Sequence, residues 1–297
     1  MSYFRKILFL YPAILSFLTG CQPNYFLLHP VEPVPGIYRE SEFFDRGQLR
    51  VHWLARYPDR PGKLPAVLVH PDRGSLSEDM EGICLALARR GYFAASADYQ
   101  RLENLQERNP LLPWRSREDA LASLEHLKNH PRVDPAHIAL LGYSKGAILS
   151  LQIASEAPFL KGVVAYYALA DFDEWRQEAQ HHFLSRTFFW FMEKSYEWRA
   201  GGGQGSQGKF WGTSPINLVG QIQAPVLLIH GEKDRTFPLI QAQHLCQALH
   251  SAGKSCELFV VPGAGHVFNF IDAHQGELAW EQTVMFLDEH LRDMPDR

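Results

Sequence analysis

Short apolar runs and apolar stripes at helical spacing alternate along most of this chain. Leu64 to His70 is a Val- and Leu-rich run that predicts a buried strand. Met80, Ile83, Cys84, Leu87 and Ala88 recur at helical spacing and predict an amphipathic helix ending near Gly91. Phe93 to Asp98 predicts a second buried strand. Ala120, Leu124 and Leu127 line a further helix, which Pro131 stops. His137 to Gly142 predicts a strand, and Lys145 to Ser155 a helix with Ala147, Ile148, Leu151 and Ala154 on one face. Gly162 to Leu169, Pro225 to His230 and Glu257 to Pro262 read as three more strands. A helix from about Leu239 to Ser251 lies between the last two, and Trp280, Val284, Leu287 and Leu291 mark a closing helix. Upstream, Gln48 to Leu54 predicts an outer strand paired with Gly36 to Phe43. This alternation predicts an α/β domain over residues 37–297, with a mostly parallel, doubly wound sheet and helices on both faces.

Two segments fall outside the alternation. Residues 172–214 carry Phe183, Phe188, Phe189, Trp190, Phe191, Tyr196 and Trp198, followed by a Gly-rich tract from Gly201 to Gly208. An insertion between two strands of such a sheet sits above the strand C-termini, where ligands bind, so it reads as a lid or cap. The plainer alternative is an excursion that only packs on the sheet. At the other end, Arg5 and Lys6 precede an apolar run from Ile7 to Leu18. That run is too short to cross a bilayer, which needs about 20 residues, and suits a signal sequence over residues 1–20. Leu18-Thr19-Gly20-Cys21 resembles the lipobox of bacterial lipoproteins. The resemblance implies lipid on Cys21 and anchorage in the cell envelope without a span. Residues 22–36 hold four prolines and little periodicity, and read as a Pro-rich tether.

Composition adds exclusions. The 297 residues are 46% hydrophobic and 21% charged, which excludes a disordered or multi-span membrane chain. The formal charge of −4 comes with no long basic stretch, which argues against a nucleic-acid partner. Removing residues 1–20 takes away two cations and no acids, so the mature chain is more acidic still. Four cysteines lack the spacing of a zinc site. Cys84 sits on a predicted core face, and Cys246 and Cys256 are candidates to pair in an oxidising envelope. No metal or cofactor is expected.

Gly142-Tyr143-Ser144-Lys145-Gly146 matches G-x-S-x-G at the junction of a predicted strand and helix. That junction is what an exposed serine nucleophile on a sharp turn requires. Asp234 follows the Pro225–His230 strand in the spacing H-G-x-x-D, where a carboxylate can orient a histidine; Asp171 and Asp173 are rivals. Gly263-Ala264-Gly265-His266 follows the last strand, and its glycines permit a loop returning His266 towards Ser144. The order Ser, Asp, His is that of α/β-hydrolases.

VLVHPDRG (67–74), HPRVDPAHIALLGYSKGA (130–147), SPINLVGQIQAPVLLIHGEKDRTFP (214–238) and VVPGAGHVF (260–268) together resemble the dienelactone hydrolase and prolyl-oligopeptidase branch of that superfamily. The resemblance covers roughly residues 37–292. It implies an α/β-hydrolase fold and hydrolysis of an ester, thioester or peptide bond through an acyl-enzyme, with Ser144 as nucleophile, His266 as base and Asp234 as the orienting acid. The oxyanion would be bound by the backbone N–H of Lys145 and by a second from the loop after His70. Pro71 has no N–H, so Asp72 is the choice and Arg73 the alternative. Tyr143, Trp114, Phe188 and Trp190 are candidates to line a substrate pocket, and Arg115 and Arg117 to bind a substrate carboxylate.

The expected activity is that of an envelope carboxylesterase acting on small-molecule or glycan esters. A peptidase is the first alternative, disfavoured because few residues precede the sheet. A thioesterase or acyltransferase is the second, and a catalytically inactive binding protein is the alternative of a different class.

Overall fold

The computed structural model describes residues 33–46, 49–72, 75–98, 113–179 and 214–292. The candidate signal, Cys21 and the start of the tether lie outside them, as does most of the 172–214 insertion. Eight strands form one sheet: β1 (Ile37–Arg46), β2 (Leu49–Pro58), β3 (Leu64–His70), β4 (Phe93–Ala97), β5 (Val133–Tyr143), β6 (Gly162–Tyr166), β7 (Val226–Gly231) and β8 (Cys256–Val261). Their order is β1-β2-β4-β3-β5-β6-β7-β8. β1 with β2 and β2 with β4 are antiparallel, and every other pair is parallel. This is the mostly parallel sheet that the alternation predicts, in the α/β-hydrolase arrangement that the resemblance implies.

The connections carry α1 (Glu81–Arg89), α2 (Pro113–Asn129), α3 (Lys145–Ala154), α4 (Phe172–Ala179) and α5 (Leu239–Ser251). After β8 come the short α6 (Phe268–Ile271) and the long α7 (Ala273–Leu291). Side chains alternate across each strand, so each inner strand feeds two cores. Leu64, Ala66 and Leu68 of β3 join α2, α3 and α5 on one face. Val67 and Val69 join Ile83 and Leu87 of α1 and Leu287 of α7 on the other. Because both faces are covered, the inner strands are apolar at nearly every position, which is why they read as continuous runs in the sequence.

The outer strands run longer than predicted. β1 and β2 pair through Arg46 and Leu49 at one end and Ile37 and Pro58 at the other. β1 is an edge strand and mostly exposed, so hydrophobic alternation understates its length. In β2 the fully buried Arg56 breaks the apolar pattern; Glu81 at the start of α1 neutralises it.

Cys246 on α5 is bonded to Cys256 at the start of β8, with Cα atoms 5.5 Å apart. Cys84 is free and buried in the core. The bridge closes a short loop, so its loss is expected to cost roughly 2–3 kcal/mol. A Cys246→Ser/Cys256→Ser double variant should show this as a lower urea midpoint; an unchanged midpoint would count against a stabilising bridge. Among the described residues no helix is long and apolar enough to cross a membrane.

Candidate active site

β5 ends at Tyr143, α3 begins at Lys145, and Ser144 forms the whole turn between them with φ 51° and ψ −112°. That backbone is unfavourable for any residue with a Cβ and persists only where the surroundings enforce it. The enforcement is visible. Ser144 N–H donates to the Tyr166 carbonyl of β6 at 3.0 Å. A Cβ on Gly142 would lie 2.3 Å from the Gly146 carbonyl oxygen, and one on Gly146 would lie 2.2 Å from the His70 carbonyl oxygen. The two glycines of the motif therefore let β5, α3 and the end of β3 meet backbone to backbone.

The loops after β7 and β8 converge on the serine. Asp234 and His266 lie there because the Gly231 Cα packs against the Ala264 and Gly265 carbonyls, and Lys233 N–H donates to Ala264 O at 2.8 Å. Ser144 Oγ is 3.1 Å from His266 Nε2, and His266 Nδ1 is 2.7 Å from Asp234 Oδ2. Asp234 Oδ1 accepts the N–H groups of Thr236 (2.8 Å) and Phe237 (2.9 Å). The Asp234 carboxylate is fully buried, whereas His266 stays partly open. This network assigns the proton of neutral His266 to Nδ1 and leaves the Nε2 lone pair facing the serine hydroxyl.

Strain concentrates here. Among the described residues the non-glycine positions with positive φ are Ser144, Tyr167 and Val267. Tyr167 follows β6, and its hydroxyl donates to Asn269 Oδ1 at 2.8 Å. Its ring meets the His266 imidazole edge-on at 4.7 Å, and the Phe237 ring does the same from another side at 5.0 Å. His230 donates from Nε2 to the Phe237 carbonyl at 2.8 Å, and burial holds its pKa below the ordinary value.

The predicted residues do not all gather at this point. Asp234, not its rivals Asp171 and Asp173, meets His266. Asp171 Oδ1 accepts the N–H groups of Asp173 and Glu174 and caps α4. Tyr143 corrects the pocket expectation. The strand alternation that presents Ser144 turns its neighbour inward, where Tyr143 is 1% exposed and packs on Tyr166 and Phe270. The side chains of Trp114 and Arg115, and all of Phe188 and Trp190, lie outside the described residues. Arg117 is paired with Glu156 at 2.6 Å.

Lys145 opens α3, so its N–H belongs to the first turn of the helix, whose donors have no partner within the helix itself. Residues 70–72 lie beside it, because the His70 and Pro71 carbonyls border Gly146. The Asp72 carboxylate is engaged by its own loop, accepting the Ser75 hydroxyl at 3.1 Å. Arg73 is outside the described residues. Thr236, Phe237 and Tyr167 surround the acid and the imidazole, yet nothing in their local sequence marks them.

His70 is fully buried under the turn, with Nδ1 2.7 Å from Ser150 Oγ, which in turn donates to Gly146 O. Desolvation lowers its pKa to about 3. The unfolded chain binds a proton at this histidine below about pH 6.5, and the folded chain does not until about pH 3. Stability is therefore complete above pH 6.5 and declines as the pH falls through that window, by up to about 1.4 kcal/mol per unit from this group. His70→Asn should flatten the dependence of the urea midpoint between pH 6 and 4; an unchanged slope would count against the assignment.

Among the described residues, His52, Glu78 and Asp98 offer donor atoms within 4.8 Å of one another. Two of them hold the 77–80 turn: His52 Nδ1 meets Ser77 Oγ at 2.8 Å, and Asp98 Oδ1 accepts Ser77 N–H at 2.6 Å, while His52 Nε2 is 3.0 Å from Ser41 Oγ on β1.

Sheet, strained serine turn and converging loops define the class: an α/β-hydrolase-fold serine hydrolase. The chain belongs to the prolyl oligopeptidase family, whose model matches residues 85–293. A relative from Bradyrhizobium sp., named "Probable 2-oxo-3-(5-oxofuran-2-ylidene)propanoate lactonase", is 26% identical over 82% of this chain and 91% of its own length. The fold is similar to that of the Pyrococcus horikoshii acylaminoacyl peptidase, with a TM-score of 0.73 and 14% identity. That match takes in 89% of this chain and 43% of the peptidase. It is similar also to a dienelactone hydrolase-like promiscuous phosphotriesterase from metagenomic libraries, with a TM-score of 0.64 and 16% identity. That match covers 86% of this chain and all of the other.

Proposed function

We propose that this protein is a serine esterase that cleaves carboxylic esters through an acyl-enzyme, held at the bacterial cell envelope by lipid on Cys21. The observation that carries the catalytic half is the line of contacts from Ser144 Oγ through His266 to Asp234. His266 Nε2 takes the hydroxyl proton as Ser144 Oγ bonds to the ester carbonyl carbon. Asp234 holds the imidazole and stabilises the imidazolium. The carbonyl electrons move to oxygen, where the N–H groups of Lys145 and Asp72 are the assigned donors, each worth a few kcal/mol of barrier. Collapse breaks the bond to the alcohol, which leaves with the proton from His266. Water then repeats the sequence on the acyl-enzyme, with His266 again as base, and releases the acid.

Support for an ester rather than a peptide comes from the match, over 82% of this chain, to a relative named as a probable lactonase, since a lactone is a cyclic ester. The peptidase reading draws on the family and on the acylaminoacyl peptidase fold. The Cys246–Cys256 bridge supports an oxidising compartment, in keeping with the lipobox.

A fluorophosphonate probe should label Ser144, and turnover should be seen on p-nitrophenyl esters in preference to aminoacyl-p-nitroanilides. Absence of labelling and turnover would sink the hydrolytic assignment; preference for the anilides would move it to the peptidase. Cys21→Ser should release the protein from the membrane fraction, and unchanged association would reject the lipid anchor.

A further inference from the structure

The acid loop is gripped from outside the Ser–His–Asp line by the first helix of the insertion. Trp175 on α4 donates its indole Nε1–H to the Thr236 carbonyl at 2.8 Å. Its ring meets the Phe237 ring edge-on at 5.4 Å, and Phe237 in turn meets His266. Taking the roles given to Asp234 and His266 above, we propose that Trp175 is a positioning residue for that pair, acting through the 236–237 peptide.

The reason lies in one planar group. The carbonyl of Thr236 and the N–H of Phe237 belong to the same peptide unit and point in opposite directions. Trp175 holds the carbonyl end. The N–H end is thereby aimed at Asp234 Oδ1, 2.9 Å away. On the far side of Phe237, His230 holds the next carbonyl. Two ring N–H groups, one from α4 and one from β7, thus fix two successive carbonyls and leave the Thr236 and Phe237 N–H groups on the carboxylate. With Oδ1 so engaged, Oδ2 is presented to His266 Nδ1 at 2.7 Å. Releasing the Trp175 end lets the peptide turn about its flanking bonds, and the carboxylate loses one of its two backbone donors.

Trp175 can act this way because α4 is itself held. Gln241, fully buried on α5, accepts the N–H groups of Ala170 and Asp171 through Oε1 and donates from Nε2 to Glu174 at 2.6 Å. Phe172 N–H donates to Ser214 Oγ at 3.1 Å, tying the start of the insertion to its end. Trp175 is 2% exposed and packs with Leu169, Phe172 and Ile148, the last one turn beyond Ser144 on α3. Its side chain therefore spans the insertion root, the acid loop and the helix that follows the serine.

The test compares full-length wild type, Trp175→Phe and Asp234→Asn. Phenylalanine keeps a ring against Phe237 and removes the N–H. With p-nitrophenyl acetate, Trp175→Phe should lower kcat about tenfold while KM stays within about twofold, the pattern of a misaimed catalytic group. In proton NMR in water, the far-downfield resonance of His266 Nδ1–H, identified by its loss in Asp234→Asn, should broaden or vanish. A Trp175→Phe protein with kcat within twofold of wild type and the resonance intact would overturn the proposal. So would a fall in kcat that comes with an equal loss of thermal midpoint and an unaltered resonance, which marks a purely structural role. If Trp175→Phe does not fold, benzothienylalanine at this position keeps the indole shape without the N–H and is read the same way. Should the wild type neither turn over esters nor label at Ser144, the esterase reading fails on its own, while the resonance still decides the role of Trp175.

Discussion

Ser144→Ala is expected to lower ester turnover by about a millionfold, down to a residue left by oxyanion and substrate contacts alone. The size follows from the geometry. Ser144 Oγ is the atom facing His266 Nε2, and its hydroxyl carries the proton that the Nδ1-protonated imidazole is arranged to accept. Removing Oγ leaves the imidazole and Asp234 correctly placed with nothing to activate. His266→Ala should therefore cost nearly as much, and the double variant little more than either single one, because the two act as one unit. The measurement is kcat on a p-nitrophenyl ester together with fluorophosphonate labelling. Turnover surviving in Ser144→Ala would remove the serine from the mechanism. Fold should be kept, since Ser144 is held in place through its backbone N–H and its neighbours rather than through the hydroxyl.

Gly146→Ala should damage both stability and activity. The added Cβ would sit 2.2 Å from the His70 carbonyl oxygen and 2.5 Å from that of Pro71. Both are backbone atoms at the end of a central strand, so neither can swing aside as a side chain would. Relief requires β3 and α3 to separate by about 1 Å at their closest point. Overpacking of this kind belongs to the severe class, about 3–5 kcal/mol, which is roughly 10 °C in Tm for a domain of this size. The same displacement moves Lys145 N–H away from the residue 70–72 loop, and a shift of about 1 Å in such groups can cost about a hundredfold in rate. Thermal melts and kcat measured on the soluble fraction would check both halves. A Gly146→Ala protein that melts and turns over like wild type would show that the close approach is not required.

Both predictions rest on residues that are legible in the chain. Ser144, Asp234 and His266 each lie within five residues of the end of a strand, and each has glycines nearby, so their convergence can be expected once the strands are placed. What could not be read was the orientation of neighbours. Tyr143 stands beside the serine in sequence, yet period-2 alternation sends it into the core against Tyr166. Asp171 and Asp173 stand after a strand just as Asp234 does, and only the capping bonds at α4 show that Asp171 is spent there. The edge strands were underestimated for a related reason: β1 is mostly exposed, so hydrophobicity marks its extent poorly. Cys246 and Cys256 were recognisable as possible partners, but pairing depends on how α5 docks beside β8.

The amino-acid sequence by itself therefore determined the strand–helix alternation, the glycine-framed serine turn and the order of Ser, Asp and His. These depend on local backbone preference and on burial period, which neighbouring residues encode. The tertiary structure decided which carboxylate meets the histidine, which way Tyr143 faces, and that Trp175 reaches the acid loop. Those outcomes depend on hydrogen bonds and ring contacts between segments far apart in the chain, such as Trp175 with Thr236 and Asp234 with His266. Their geometry exists only after the sheet has brought the strand ends together.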